Sequence, residues 1–396
     1  MADPLVGTLK TPFRIKAVNM ATTATAVLGD VLGSGSQGVV QELLITDGSI
    51  GGPSGSRYVI KSHLGLKYID ELYCEILAHR AISNMFGGDH CNPLFLCLRG
   101  VLMKQDPSVT KSFLGDQTSP IVRLGKAEIP GIVLLTNHDI GNNFYMIYEK
   151  INGKTLFDNL YIKHADGHYT KGTRPASFRE IGKSLLQGLA TMHEKHVVHR
   201  DLKPENTMIV GDQAKFIDFG SAFLLEAPLY KCRPRIGTPE FMAPELSKSD
   251  FPIADYYTKE HPIEDLRTIY KPADVFSMGA MLYDLLYQAK IHGKKNVVQI
   301  FLWMSPPEGS PPEPLTLVDP DEDSAPFHDL VLRMLQFNAS DRPTAAEALA
   351  AWEVASAASA VGEAVASGET SASRKHRSRR RRFRRNNRRT RVSSRR

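Results

Sequence analysis

The pattern of apolar residues changes near Gly153, and this change constrains the fold more than any other feature of the chain. Between residues 26 and 149, β-branched runs alternate with glycine-rich turns, which predicts a sheet. The clearest strands are predicted over 58–62 and 144–149. Within the same region, the apolar residues of 70–85 recur with a helical period and predict a helix.

Helices are predicted for most of the chain after Gly153. Ser177 and Glu180 have the spacing of a capping box, and an apolar stripe with helical period follows them. Two further apolar helices are predicted over 275–287 and 327–337. The predicted fold class is therefore α+β, with a small β-rich part followed by a larger α-helical part.

Several segments fit neither part. Residues 91–127 are predicted to be an irregular insertion, and 305–326, with seven prolines and six acidic residues, a loop. The segment 350–373 is rich in Ala, Ser and Gly, and only its beginning is predicted to be helical. Residues 1–25 have no clear period and are predicted to be a leader or a packing arm.

Charge is distributed unevenly along the chain. Residues 374–396 contain 14 Lys and Arg and no acid, whereas residues 1–373 contain 35 basic and 43 acidic residues. Such a tail is predicted to be disordered. Its arginine runs favour, in this order, nuclear import, contact with nucleic acid, and docking to acidic proteins.

Cysteine content and hydropathy exclude several classes of protein. Four cysteines in 396 residues exclude a disulfide scaffold, and they lack the paired spacing of a zinc site. No apolar run approaches the roughly 20 residues of a membrane-spanning helix, and no signal-peptide pattern opens the sequence. We therefore expect an intracellular protein with reduced thiols and no membrane partner.

A glycine-rich motif with the sequence GSGSQGVV begins at Gly33. Glycines lack Cβ, so a hairpin of this composition lets backbone N–H groups approach phosphates closely, although many such motifs are plain turns. Residues 39–44 have the pattern of a strand rather than a helix, which disfavours a dinucleotide-binding fold. Further on, Lys61 ends an apolar strand. The acid best placed to reach it is Glu75, with Glu71 as the second candidate.

The sequence HRDLKPEN at 199–206 is the most informative segment for chemistry. Phosphoryl transfer to a hydroxyl needs a carboxylate that orients the nucleophile, a cation near the moving phosphate, and a metal ligand close by. Asp201, Lys203 and Asn206 can supply these three groups. The sequence DFG follows at 218–220, with a carboxylate suited to Mg²⁺, and APE follows at 243–245.

The order of these motifs resembles the signature of the eukaryotic-type protein kinase family. That order is the glycine-rich motif, the Val-Ile-Lys strand, the helix glutamate, HRDLKPEN, DFG and APE. The resemblance implies a bilobal protein kinase-like fold, with a β-rich N-lobe, a larger helical C-lobe, and ATP and Mg²⁺ between them. The implied domains are a leader (1–25), a kinase domain (26–352, divided into 26–151 and 152–352), a linker (353–373) and a tail (374–396).

The resemblance also implies a role for each site residue. Asp201 would be the catalytic base and Lys203 would steady the γ-phosphate. Asn206 and Asp218 would hold Mg²⁺. The residues that would contact ATP are Leu32, Gly33, Ser34, Gly35, Ser36, Gln37, Gly38, Val40, Val59, Lys61, Glu75, Tyr148, Glu149 and Ile151.

Two residues of the ATP site depart from the family's pattern or limit the pocket. Val59 stands where the family usually has Ala, which would narrow the adenine pocket, and Tyr148 would gate its back. The separation of 14 residues between Lys61 and Glu75 is short for the family. The loop 46–56 and the insertion 91–127 are longer than usual.

Structural contacts are implied as well. Thr238, in the sequence GTPE at 237–240, would contact Asp201 and Lys203. An ion pair would join Glu245 to Arg342. In addition, Asp274 resembles the helix aspartate that braces the catalytic loop.

The implied function is that of a serine/threonine protein kinase, because a lysine two residues after the catalytic aspartate is typical of that branch. Alternatives are a pseudokinase scaffold and a nucleic-acid-associated protein with a kinase fold. The expected protein is a nuclear monomer that acts on protein substrates. For activation, Glu226 would offer Arg200 a permanent carboxylate, and phosphorylation of Tyr230 is the alternative.

Overall fold

The computed structural model describes only part of the chain. The described residues are 13–17, 23–35, 38–48, 57–63, 69–83, 91–104, 133–137, 144–225, 237–246, 263–307, 310, 312–315 and 317–366. Glu226, Tyr230, the tail 374–396 and most of the loop 46–56 lie outside them.

The strands are concentrated in the first part of the chain. They are β1 (Phe13–Ala17), β2 (Thr23–Gly35), β3 (Gly38–Gly48), β4 (Tyr58–His63), β5 (Leu98–Lys104), β6 (Val133–Asn137), β7 (Phe144–Glu149), β8 (Lys154–Thr155), β9 (Tyr161–Lys163), β10 (Tyr169–Lys171), β11 (Val197–Val198), β12 (Thr207–Val210), β13 (Gln213–Phe216) and β14 (Phe223–Leu224).

Most helices belong to the second part. They are α1 (Ile69–Ser83), α2 (Leu156–Leu160), α3 (Phe178–Glu194), α4 (Ile263–Tyr287), α5 (Val297–Met304), α6 (Ala325–Met334) and α7 (Ala345–Ala366), with 3₁₀ turns at Pro204–Asn206, Pro244–Leu246 and Ala339–Asp341. The predicted α+β class, with a β-rich part followed by a helical part, is confirmed. In the described residues, no helix is long and apolar enough to cross a membrane.

The first seven strands form a closed sheet in the order β1-β2-β3-β4-β7-β5-β6. Tyr58 and Ile60 of β4 pack with Tyr145 and Ile147 of β7 in a small core. Because side chains alternate along a strand, Lys61 lies on the opposite face of β4. β4 and β7 confirm the strands predicted over 58–62 and 144–149. The alternation of side chains along β4 places Lys61 on the face of the sheet away from this small core.

Helix α1 confirms the helix predicted over 70–85. Its buried residues Cys74, Ala78 and Ile82 belong to the larger core of the helical part, and α1 packs against β14 and β11. Helix α1 therefore follows a strand of the small sheet in the sequence but packs on the core of the helical part.

Helix α3 is the centre of the helical part. Ile181, Leu185 and Leu189 are fully buried, as their spacing predicts. The capping box predicted at Ser177 is wrong: its side chain makes no capping hydrogen bond, and its backbone angles of φ −89° and ψ 23° are not the extended ones of an N-cap. Trp352 of α7 is buried against α3 and donates a hydrogen bond of 3.0 Å to the carbonyl of Arg179.

The structure corrects several other predictions. The predicted irregular insertion contains β5, which lies between β7 and β6. Residues 98–102 of this strand are all buried, so its sequence lacks the alternation of a half-exposed strand. Part of the predicted leader is β1, which pairs with β2 and β6. The domain boundaries themselves stay predictions.

The helices of the second part are also longer or more numerous than predicted. Helix α4 begins at Ile263 and continues through Pro272, α7 extends to Ala366, and α5 was not predicted. The segment between α5 and α6 contains no helix or strand in its described residues, which agrees with the predicted loop over 305–326 except at its last two residues, where α6 has already begun.

The cysteines correct one more expectation. Cys91 and Cys97 form a disulfide, with their Cα atoms 5.7 Å apart, whereas reduced thiols were predicted. A turn that begins at Asn92 brings the two residues together, and in it the N–H of Phe95 donates a 3.1 Å hydrogen bond to the Asn92 carbonyl. Cys74 is a free, buried thiol.

Candidate active site

A cleft of about 890 Å³ is lined by residues of both the small sheet and the helical part. Its size is that of a site for a nucleotide-sized ligand. The predicted site residues that line it are Leu32, Gly33, Val40, Val59, Lys61, Tyr148, Glu149, Ile151, Asp201, Lys203, Asn206 and Asp218. The fold therefore brings residues from five separate segments of the chain to one place.

The remaining predicted residues are placed differently. Glu75 does not line the cleft, but its carboxylate contacts Lys61 from α1. Ser34 and Gly35 end β2 and Gly38 begins β3, so the glycine-rich motif is a hairpin as predicted. Its two middle residues, Ser36 and Gln37, lie outside the described residues.

Lys61 is the cation at the centre of the cleft. Its Nζ is 3.4 Å from both carboxylate oxygens of Glu75 and 3.0 Å from Oδ1 of Asp218. Burial alone would lower the pKa of Lys61, but the two carboxylates raise that pKa above its usual range. Lys61 is consequently charged at any physiological pH.

The same ion pair has the opposite effect on the pKa of Asp218. Burial would raise the pKa of this carboxyl, but Lys61 and the N–H of Gly220, which donates a 3.0 Å hydrogen bond, hold the pKa of Asp218 below its ordinary value. The carboxylate thus stays ionised, which a metal ligand requires.

Asp201 accepts hydrogen bonds on both carboxylate oxygens. Thr238 donates to Oδ1 at 2.8 Å, and Oδ2 lies 3.0 Å from Nζ of Lys203 and 3.1 Å from Nδ2 of Asn206. Lys203 also donates to the Thr238 hydroxyl at 2.9 Å. The predicted contacts of Thr238 with Asp201 and Lys203 are confirmed, and they orient the carboxylate from several sides.

The loop before Asp201 has an unusual backbone. Arg200 has φ of 65°, a left-handed conformation that is costly for a residue with a side chain. Asp274 holds this loop because it accepts hydrogen bonds from the N–H groups of His199, at 2.7 Å, and Arg200, at 2.8 Å. The predicted bracing role of Asp274 agrees with these contacts.

Three apolar residues of the cleft were missed by sequence reasoning. Met208 lies on β12 two residues after Asn206, and Ile217 directly precedes Asp218, so their spacing from the motifs was a usable signal. Leu96 offered no such signal, because it belongs to a segment that was predicted to be irregular.

The chemistry of Asn206 and Asp218 fits the magnesium ion that the sequence implies. Both residues offer oxygen atoms, which Mg²⁺ prefers, and Nδ2 of Asn206 is engaged by Asp201, which leaves Oδ1 as its acceptor. In the part of the chain that the structure describes, no cluster of three or more His, Cys, Asp or Glu residues forms a metal site. Such a pair suits Mg²⁺, which is commonly bound by one or two protein ligands together with phosphates.

The fold consists of a small closed sheet and a helical part, and Asp201 and Asp218 line the cleft between them. This arrangement defines the bilobal kinase class. Residues 121–352 match the family described as protein kinase domain. This match covers more than half of the 396 residues, and the chain belongs to the protein kinase family.

Curated relatives support the same family. The chain is 28% identical over 221 residues to the phosphorylase b kinase gamma catalytic chain, liver/testis isoform, of Homo sapiens. The matched region covers 55% of this chain and 48% of that protein. It is 29% identical over 238 residues to serine/threonine-protein kinase pkn2 of Myxococcus xanthus, with coverage of 57% and 25%. It is 30% identical over 180 residues to serine/threonine-protein kinase 10 of Xenopus tropicalis, with coverage of 45% and 17%. The chain spans half or less of the length of these relatives.

Proposed function

We propose that the chain is a serine/threonine protein kinase that transfers the γ-phosphoryl group of ATP to hydroxyl groups of proteins. One observation carries the proposal: the Asp201 carboxylate is held by Thr238, Lys203 and Asn206 in the same cleft that contains the Lys61–Asp218 ion pair. The names of the relatives agree with this activity.

Within that proposal, Asp201 orients the acceptor hydroxyl and takes its proton on a carboxylate oxygen. Lys203 places a positive charge beside Asp201, where negative charge on the transferred group needs stabilisation. Lys61 binds phosphate oxygens, and the apolar side chains of Val59 and Met208 line the region for the adenine ring. The catalytic contribution of these residues is positioning and charge stabilisation.

Asn206 and Asp218 would hold Mg²⁺, which supplies charge neutralisation on the phosphates when it is bound. The protein's own part is to keep Asp218 ionised through Lys61 and to fix the amide of Asn206 through Asp201.

The experiment is a transfer assay with labelled ATP and a generic protein substrate. Asp201→Asn keeps the size of the side chain but removes the base, so kcat should fall by about 10²–10⁴ with the fold intact. Asp212→Asn is the matched control, because Asp212 is exposed in the turn between β12 and β13. Full activity of the Asp201→Asn protein would contradict the assignment, and a wild-type protein without transfer would favour the scaffold alternative.

The tail 374–396 is proposed to direct the protein to the nucleus or to bind nucleic acid through its 14 basic residues. If half of them contact phosphates of a duplex, the logarithm of the binding constant should fall with the logarithm of salt concentration with a slope of about −6. Deletion of the tail should abolish that slope and move the protein out of the nucleus while kinase activity remains. A truncated protein with unchanged binding and location would refute the proposal.

A further inference from the structure

The hydroxyl of Tyr148 makes a contact with Glu75 that has no part in the proposed transfer step. Tyr148 lies on β7 and is 2% exposed, and its hydroxyl donates a 2.5 Å hydrogen bond to Oε1 of Glu75, which is 1% exposed. The same hydroxyl lies 3.2 Å from Sδ of Met146. A buried strand of the small sheet is thereby bonded to the acid of α1.

This hydrogen bond is shorter than the contacts between Glu75 and Lys61. The distances of 3.4 Å from Nζ of Lys61 to the two carboxylate oxygens are longer than the roughly 2.8 Å of a strong charge-assisted hydrogen bond. Lys61 is shared with Asp218, to which it lies closer, at 3.0 Å. The tyrosine is therefore well placed to decide where the Glu75 carboxylate lies.

Two features keep the tyrosine in this role. Its ring packs against the ring of His79, with centroids 5.5 Å apart, and His79 lies one helical turn after Glu75 on the same face of α1. Burial, and then the charge of Glu75, raise the pKa of Tyr148 well above its usual range, so the hydroxyl keeps the proton that it donates.

We propose that the Tyr148 hydroxyl is a positioning group of this kinase: it fixes Glu75, and through Glu75 it holds α1 and Lys61 in the arrangement that binds ATP. The proposal rests on the proposed function, because it assigns Lys61 to the phosphates. It gives Tyr148 a second role besides closing the back of the cleft.

The test is Tyr148→Phe, which retains the ring and its packing on His79 and removes only the hydroxyl. A lost hydrogen bond to a buried carboxylate should raise KM for ATP about tenfold, with kcat changed less than threefold. A variant that had merely lost part of its fold would lower kcat and leave KM unchanged. Hydrogen exchange of Ile69–Ser83 in the nucleotide-free protein should become faster, whereas exchange of Phe178–Glu194 should not change.

Two further variants make the result specific. Met146→Leu removes the sulfur next to the hydroxyl and should leave KM for ATP unchanged. In a Glu75→Leu background, which has no acceptor for the hydroxyl, Tyr148→Phe should raise KM much less than in the wild type, because the two residues act as one unit.

Failure of the inference is distinguishable from failure of the proposed function. A wild-type protein without phosphoryl transfer would refute the function, while the hydrogen-exchange comparison would still test the tyrosine. An active protein whose KM for ATP is the same in Tyr148→Phe would overturn the inference. An equal rise in KM for Met146→Leu would overturn it too.

Discussion

Arg342 offers the sharpest test of how the helical part is held together, because each N–H of its buried guanidinium has an acceptor. Two hydrogen bonds of 2.7 and 2.8 Å join it to Glu245, which confirms the predicted ion pair. The other three, of 2.8 to 2.9 Å, go to the carbonyl groups of Gln336, Pro272 and Phe337. The residues that follow Thr238 are thereby tied to the end of the domain.

Glu245→Gln removes the compensating charge and leaves the guanidinium buried. Loss of one partner of a buried ion pair costs about 3–5 kcal/mol, and the 17% exposure of the Glu245 side chain favours the lower end, about 3 kcal/mol. That is a large share of the roughly 5–15 kcal/mol by which a domain is stable. Urea unfolding followed by circular dichroism measures this change in the free energy of unfolding.

The matched control is Glu353→Gln. Glu353 pairs with Lys183 at 2.6 Å, but both side chains are nearly half exposed, so its loss should cost less than about 1 kcal/mol. Equal costs for the two substitutions would show that burial does not set the strength of the Glu245 pair, and the reasoning would fail.

Two further predictions concern packing and pH. Gly182→Ala places a Cβ 2.0 Å from Cζ2 of Trp352, so overpacking of about 1–3 kcal/mol should outweigh the gain of up to about 1 kcal/mol in helix propensity. Urea unfolding should show that adding Trp352→Leu costs less than the sum of the single variants, and strict additivity would contradict the contact. Burial, and then Lys295, lower the pKa of His292 to about 4, below that of the unfolded chain, so the stability it supports above about pH 6.5 is lost as pH falls toward 4. His292→Phe should therefore reduce the loss of unfolding free energy between pH 7 and 5 by up to about 1.4 kcal/mol per pH unit, and an unchanged pH slope would contradict this.

The features that the sequence predicted correctly depend on short stretches of chain. β4 and β7 follow from local alternation, and α1 and α3 follow from helical periodicity. The features it missed depend on partners far along the chain. β1 is a strand because β2 and β6 pair with it, and no pattern within five residues announces such partners.

Local patterns also fail where the backbone departs from the ideal. Ser177 and Glu180 satisfy the spacing of a capping box, but the backbone of Ser177 is not extended, so the hydroxyl cannot reach the amides of the first turn. The helix predicted over 275–287 begins earlier in the structure, because α4 starts at Ile263 and continues through Pro272.

The site divides along the same line. Which chemical groups are present follows from motifs, but their arrangement follows from contacts between distant residues. Lys61 and Asp218 are separated by 157 residues, and Asp201 and Thr238 by 37. A chain could retain every motif and still lose the arrangement if one supporting contact were absent.

Glu75 shows what this means for the ATP site. Its separation from Lys61 appeared short, yet the carboxylate reaches Nζ at 3.4 Å, and the contact that places it comes from the hydroxyl of Tyr148, 73 residues away. The motifs therefore identify Lys61 and Glu75 as the two charged partners. The distance between them is decided by Tyr148, which is uncharged and belongs to none of the motifs. Tyr148→Phe removes one buried hydroxyl and leaves every charged group in place. A loss of ATP affinity in this variant would therefore come from the positioning of the charged groups and not from the absence of any of them.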